Sequence, residues 1–537
     1  MDNFADTVTN HPLSVQLMAN IGMFFDRVEE YSWIGPATNF VNIPAIDDQL
    51  IPIAEGTGMQ LTVIKYTLAL FMVYPMAALL RQVSNPTAKH FFSMAGGLFM
   101  MQWIYGADWI HSFITSAVTY LLCLIVPRKY VHMVVFVWAM GYMTMSHIYR
   151  MYVSYMSGIF DFTGTQMVIT MKLTSFAYNL YDGTHDFKSV FAQYDPVKEK
   201  KKARVMGDRK RFAVEEMPSL LEFFGYMYCF TCILAGPAFE YKDYVNSITG
   251  AVFEIGKDKN DLRRGEPSSW FEALKRMVIG VVSLVAHMQL SARFPISNSY
   301  NKAWLAENTN MLYRFGHIWV ALFADRLKYY FAWKVAEGGS VMGGFGFQGY
   351  DKKNPGKIIG WSGVENIEIL GFELATNVQG LSRAWNKRTQ GWLERYTYQR
   401  TGESLVATYF VSALWHGLYP GFFVFFMTVP LNTNIQRLIK SKINPYIIPG
   451  YDNYKYESAP NSIVTKLYWV LSFVVTSIST NYIVQTFSMS SWENCMIALG
   501  SYNHIGHAAL LAVYVLLELF PKPRSPKKED KETKKTK

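Results

Sequence analysis

The stretch Ser412–Phe426, SALWHGLYPGFFVFF, holds one ionisable group, His416, in a run otherwise suited to lipid. Glu403 and Arg437 are the nearest formally charged residues on either side. A membrane helix needs ~20 predominantly apolar residues, and the uncharged interval between Glu403 and Arg437 is long enough to hold them. It therefore sets the question for the whole chain: whether the protein is threaded repeatedly through a bilayer, and why a histidine sits in such a place.

Working outward, the composition agrees with a membrane protein. The chain has 537 residues, 50% hydrophobic, 16% aromatic and only 17% charged, against about 25% charged in soluble domains. Clear candidate spans are Leu61–Leu80, Trp109–Val126, Val131–Met151, Leu220–Gly236, Ala273–Leu290, Leu312–Trp333, Leu405–Met427, Ile463–Phe487 and Ile505–Phe520. His90–Trp103, the Met167–Tyr181 region and Ile367–Leu374 are shorter or more polar and read as half-spans, re-entrant pieces or interfacial helices. The expectation is an all-α polytopic membrane protein with roughly nine to twelve crossings under the bilayer-length rule. Residues 1–60 read as a polar and amphipathic leading segment. Residues 61–521 read as one membrane-embedded domain, and residues 522–537 as a basic tail.

The net charge of +10 comes from basic residues clustered between the apolar runs. That distribution fits orientation against an anionic leaflet, and no nucleic-acid motif accompanies it. The longest basic stretch is PVKEKKKARVMGDRKRF, Pro196–Phe212, which the positive-inside rule assigns to the cytosol. Six clear spans separate it from the basic tail, so both can lie on the cytosolic side. The chain ends Lys534-Lys535-Thr536-Lys537, which resembles a dilysine signal for retrieval to the endoplasmic reticulum. The leading residues MDNFADTVTN lack a basic n-region, so no cleavable signal peptide is evident. The four cysteines are too few for a disulfide framework. Cys229 and Cys232 read as small packing residues.

Ionisable groups within spans are expensive and usually have a reason. His111, His132, His147, His287, His317, His504 and His507 read singly as packing or interfacial residues. His416 differs. Ala413, Gly417 and Gly421 repeat at the small-xxx-small spacing that lets helices approach. Pro420 would free the carbonyl of His416 within a continuous helix and kink it. Local physics alone leaves two readings open: a neutral imidazole acting as a general base, or a hydrogen-bonded structural histidine.

Two further stretches matter. LSRAWNKRTQGWLERYTYQR, Leu381–Arg400, places Trp385, Trp392 and Tyr396 near one helical face among basic residues. The bland reading is an amphipathic interfacial helix. The sharper one has the amide of Asn386 holding a reacting group near the imidazole. LKYYFAWKVAEGGSVMGGFGF, Leu327–Phe347, runs from an aromatic span into a glycine-rich loop that can turn tightly near a ligand and matches no nucleotide-binding fingerprint.

Together these residues resemble a known family. Trp415-His416-Gly417-Leu418-Tyr419-Pro420-Gly421 is similar to the WHGxxPGY-type signature of membrane-bound O-acyltransferases, with Phe422 where Tyr is frequent. Trp385-Asn386, Thr389, Trp392-Leu393, Tyr398 and Arg400 resemble the WNxxTxxWL…YxR block of the lysophospholipid acyltransferase branch. Tyr329–Trp333, Glu337-Gly338 and Gly344–Phe347 resemble another of its blocks, as does Gly236–Tyr244.

The resemblance implies a multi-helix fold around a tunnel, and acyl transfer from acyl-CoA to the free, commonly sn-2, hydroxyl of a lysophospholipid. His416 is then the general base and Asn386 its partner, with no metal and no tightly bound cofactor. Lys387 and Arg388 offer charge to the CoA phosphates, and Trp385, Trp415, Tyr330 and Glu337 are further candidates for substrate contact. A sterol, diacylglycerol or protein acceptor, or a transporter or scaffold of the same architecture, are the competing readings. The expected setting is the endoplasmic reticulum membrane.

Overall fold

The computed structural model describes residues 43–521 apart from 194, 196, 197, 255–265, 352, 355, 356 and 449–462. Residues 1–42 of the leading segment and the dilysine-like end therefore lie outside the described residues, and the rest of that segment holds the helix Pro44–Thr57. Among those described, the regular structure is helical, and the single β-bridge pairs Tyr350 with Ile358. Among the described residues, five stretches have the length and apolarity to cross a membrane: Leu61–Gln82, Pro86–Ile125, Arg128–Ser154, Trp270–Tyr300 and Ile463–Met489. The protein is thus an all-α, multi-pass membrane protein.

The helix Trp270–Arg293 shows how such a protein is patterned. Phe271, Leu274, Val278, Val282, Val285 and Met288 are exposed and recur every three or four residues. Ala273, Arg276, Gly280 and Ser283 occupy the opposite, buried face. Large apolar groups thus face outward, where lipid satisfies them, and small or polar groups face inward, where only protein can.

Helix starts follow ordinary capping rules. Asn85 accepts from the backbone N–H groups of Thr87 and Ala88 at 2.8 and 3.2 Å, with Pro86 in the first helical position. Ser404 opens Leu405–His416 by accepting from Ala407 N at 3.2 Å.

The described chain falls into two compact units. One holds residues 43–289, Ala324–Ile367 and Asn386–Leu418 and contains the larger apolar core. The other holds Leu290–Phe323, Glu368–Trp385 and 419–521, around a core of Ile318, Leu322, Tyr482, Ile483 and Leu499. Long helices such as Met311–Met342 contribute to both.

Three expectations change. The apolar run Leu220–Gly236 is helical only over Leu220–Met227. The ammonium of Lys172, only 1% exposed, donates to the carbonyls of Tyr226 and Met227, so the broken end is satisfied from another helix. The Met167–Tyr181 region lies within a full buried helix, Thr163–Asp182.

The run Leu405–Met427 is two helices, Leu405–His416 and Pro420–Leu438. Gly417 has φ 130°, a backbone state open essentially to glycine alone, and Pro420 starts the next helix without needing its missing N–H. There is no continuous kinked helix, and Ala413, Gly417 and Gly421 form no single stripe. Gly421 instead serves a close approach within the second unit. Its N–H bonds Ser490 O at 2.7 Å, and a side chain there would meet Thr486 O at 2.2 Å.

Candidate active site

His416 is the last residue of the helix Leu405–His416. Its Nδ1 lies 2.7 Å from the carbonyl oxygen of Ser412. A carbonyl only accepts, which assigns the proton to Nδ1, and in the neutral ring Nε2 then carries the lone pair. The ring is half-buried and meets the Trp415 indole edge to face, 4.7 Å between centroids. This geometry suits a base that takes a proton through Nε2.

Asn386 belongs to the same unit. It stands at the start of the helix Lys387–Tyr396 with φ 42° and ψ 53°, in the left-handed region, and its side chain makes no capping hydrogen bond. That region is uncommon outside glycine, though asparagine is several-fold enriched there. Non-glycine residues held in it cluster at functional sites.

One buried helix, Thr163–Asp182, serves both residues. The Trp415 indole donates to Met167 O at 3.0 Å. Farther along, the Thr389 hydroxyl lies 3.4 Å from Met171 Sδ, and the Trp392 indole donates to the Thr174 hydroxyl at 2.9 Å. The Tyr396 hydroxyl donates to Asn179 Oδ1 at 2.8 Å, with Glu240 Oε2 at 2.9 Å. Arg400 closes the series with a two-pronged ion pair to Asp182, 3.0 and 2.5 Å. The partners 167, 171, 174, 179 and 182 advance by about one helical turn each. The residues that bear the histidine and the asparagine are thus keyed to one ruler. Met140, Met171, Trp392, Tyr396 and Trp415 pack together as a separate apolar cluster beside it.

Trp392 and Tyr396, 2% and 3% exposed, therefore face protein, so the interfacial-anchor reading does not hold for them. Trp385 is not on their face. It precedes the helix and belongs to the second unit, where its ring packs on Phe372 at 4.8 Å.

The other candidates are engaged or enclosed. Lys387 pairs with Glu365 at 2.6 Å. Arg388 donates to the carbonyls of Gly363 and Ser362; burial draws its pKa below the usual value, an effect that Asp243 opposes. Burial also works against the charge of Arg395, but Glu240, 2.7 Å away, overrides it and holds that pKa above its ordinary value. Tyr330 and Glu337 are fully buried, and Glu337 pairs with Lys334 at 2.8 Å. The glycine-rich loop turns against its own chain: Gly346, at φ +85°, accepts from Gly363 N at 2.9 Å, and a side chain at either position would strike the other strand of the loop.

Sequence reasoning missed Asn366, Asn179 and Asp182, and it treated His147 as packing. His147 Nε2 bonds the carbonyl of Trp415.

Residues 147–485, more than half of the chain, match the family described as MBOAT, membrane-bound O-acyltransferase, and the chain is a member of it. It is 29% identical over 442 residues to human membrane-bound glycerophospholipid O-acyltransferase 2, covering 80% of this chain and 78% of that one. It is 26% identical over 479 residues to the lysophospholipid acyltransferase of Schizosaccharomyces pombe, covering 87% and 88%. With lysophospholipid acyltransferase 2 of Arabidopsis thaliana it shares 27% identity over 497 residues, covering 89% and 98%.

Proposed function

We propose that this protein transfers a fatty acyl chain from acyl-CoA to the free sn-2 hydroxyl of a lysophospholipid, in the endoplasmic reticulum membrane. The observation that carries the reading is the hydrogen bond from His416 Nδ1 to Ser412 O, which leaves the Nε2 lone pair of the neutral ring as the basic site. The names of the relatives support the acceptor class.

In this mechanism the acceptor hydroxyl attacks the thioester carbonyl while His416 Nε2 takes its proton. Asn386 donates its amide N–H to the oxygen on which negative charge develops. Collapse expels the CoA thiolate, which takes the proton back from the imidazolium. No covalent acyl-enzyme intermediate is needed. Base catalysis of this kind contributes ~10²–10⁴-fold. The exposed cations of the helix Lys200–Phe212, of which Arg204 lies 3.9 Å from Glu394, support a cytosolic approach for the donor.

The test is mass spectrometry of products from purified protein given mixed lysolipids and mixed acyl-CoAs, with sterol and diacylglycerol in the panel. Wild type should form diacyl phospholipid, and folded His416→Ala should lose at least 100-fold in turnover, in line with the usual size of base catalysis. Wild-type turnover by that variant would remove His416 from the chemistry. Acylation of the sterol or diacylglycerol alone would replace the acceptor, and lipid movement without product would make the protein a transporter.

A further inference from the structure

A helix start leaves its first backbone N–H groups without partners inside the helix, and an asparagine in the N-cap position ordinarily takes one of them with its own side chain. Asn386 occupies that position before Lys387–Tyr396 and makes no such bond. Another asparagine, twenty positions earlier in the chain, does the work instead. Lys387 N donates to Asn366 O at 2.7 Å, and Arg388 N donates to Asn366 Oδ1 at 3.2 Å. Asn386, to which the proposed reaction gives the donor role, is thereby released from the structural duty of its position.

Asn366 is fixed in turn. Glu337 Oε1 accepts from Asn366 N at 2.7 Å and from Ile367 N at 3.0 Å. Its Oε2 accepts from Lys334 Nζ at 2.8 Å, and the same ammonium donates to Ile367 O at 2.6 Å. Arg276 Nε adds a fourth interaction, an ion pair to Oε2 at 3.5 Å. The Glu337 side chain is 0% exposed, and Asn366 is 3% exposed. A carboxylate so enclosed and so fully occupied has no face for substrate. Two of its hydrogen bonds hold one short segment of backbone, and two cations engage its other oxygen.

We infer that Glu337 is a positioning residue for Asn386: it clamps Asn366, which caps the Lys387–Tyr396 helix from outside and so leaves the Asn386 amide available to the reacting groups. This rests on the catalytic role proposed above for Asn386. The left-handed backbone at Asn386 is the strained element that the clamp keeps in place.

The experiment is a cycle of four purified enzymes, wild type, Glu337→Ala, Asn386→Ala and the double variant, assayed for kcat and both KM values with melting temperature measured alongside. Glu337→Ala should lower kcat at least about tenfold, with each KM within about twofold. In the Asn386→Ala background the same change should lower kcat less than about twofold, because residues acting as a unit are not additive. Asn366→Ala leaves the ion pairs in place and removes only the side-chain cap. It should repeat the pattern at smaller size, and it decides the matter should Glu337→Ala fail to fold. Equal losses in both backgrounds, or wild-type kcat in Glu337→Ala or in Asn366→Ala, would overturn the inference and leave the proposed reaction intact. Wild-type kcat in Asn386→Ala would instead remove the reading on which it stands.

Discussion

His147 caps the helix that ends in His416: its Nε2 lies 3.1 Å from the carbonyl oxygen of Trp415. That carbonyl is one of the last four of its helix and has no partner within it. The bond ties the Arg128–Ser154 helix to the turn carrying the candidate base.

Replacing His147 with Ala should therefore cost about 1–3 kcal/mol of stability through the unsatisfied carbonyl and reduce kcat more than it changes either KM. His147→Gln, which can still donate, should recover part of both. Thermal unfolding and steady-state kinetics on the three proteins check this, and a kcat that ignores the donor would show the cap to be irrelevant to the base.

Gly417 holds φ 130° immediately after His416. Gly417→Ala should cost ~1–3 kcal/mol, since the conformation is strained for any side chain, and should reduce activity further by moving the end of the helix. Retained melting temperature and turnover would mean that the chain reaches the same break by another route.

The Arg400–Asp182 pair is buried, with side chains 12% and 2% exposed. Removing one partner leaves an uncompensated charge, so Asp182→Asn should destabilise by ~3–5 kcal/mol. Arg400→Lys should also lose stability, because a lysine cannot reproduce the two-pronged geometry. Denaturation of each variant in one detergent gives the comparison.

Lys387 is paired with Glu365, with side chains 32% and 22% exposed. Its partly exposed pair is worth about 1 kcal/mol or less. Lys387→Ala should leave the KM for acyl-CoA within about twofold of wild type. A rise of tenfold or more would show that the lysine leaves Glu365 to meet the donor's phosphates.

Hydropathy located most long helices because it sums over many residues. Leu61–Leu80 became Leu61–Gln82, and Ile463–Phe487 became Ile463–Met489. It failed where one distant group decides the outcome. Nothing within Leu220–Gly236 announces that Lys172 will satisfy its carbonyls from another helix. Thr163–Asp182 looked too polar for a full buried helix because Thr174, Asn179 and Asp182 are partners for Trp392, Tyr396 and Arg400. At the site, motif and context single out His416 and Asn386 as candidates. Asn366 was not, since a cap supplied from twenty positions away leaves no local pattern.

The keyed contacts along Thr163–Asp182 have a consequence for how this protein can change over time. Each residue removed from a helix turns everything beyond it by about 100°. A substitution at Thr389 or Trp392 spoils one contact and leaves its neighbours aligned. A one-residue deletion between them would swing Trp392, Tyr396 and Arg400 away from their partners together. Descent can therefore edit this block letter by letter, but it cannot shorten or lengthen it by a single residue and keep the base and the amide in step.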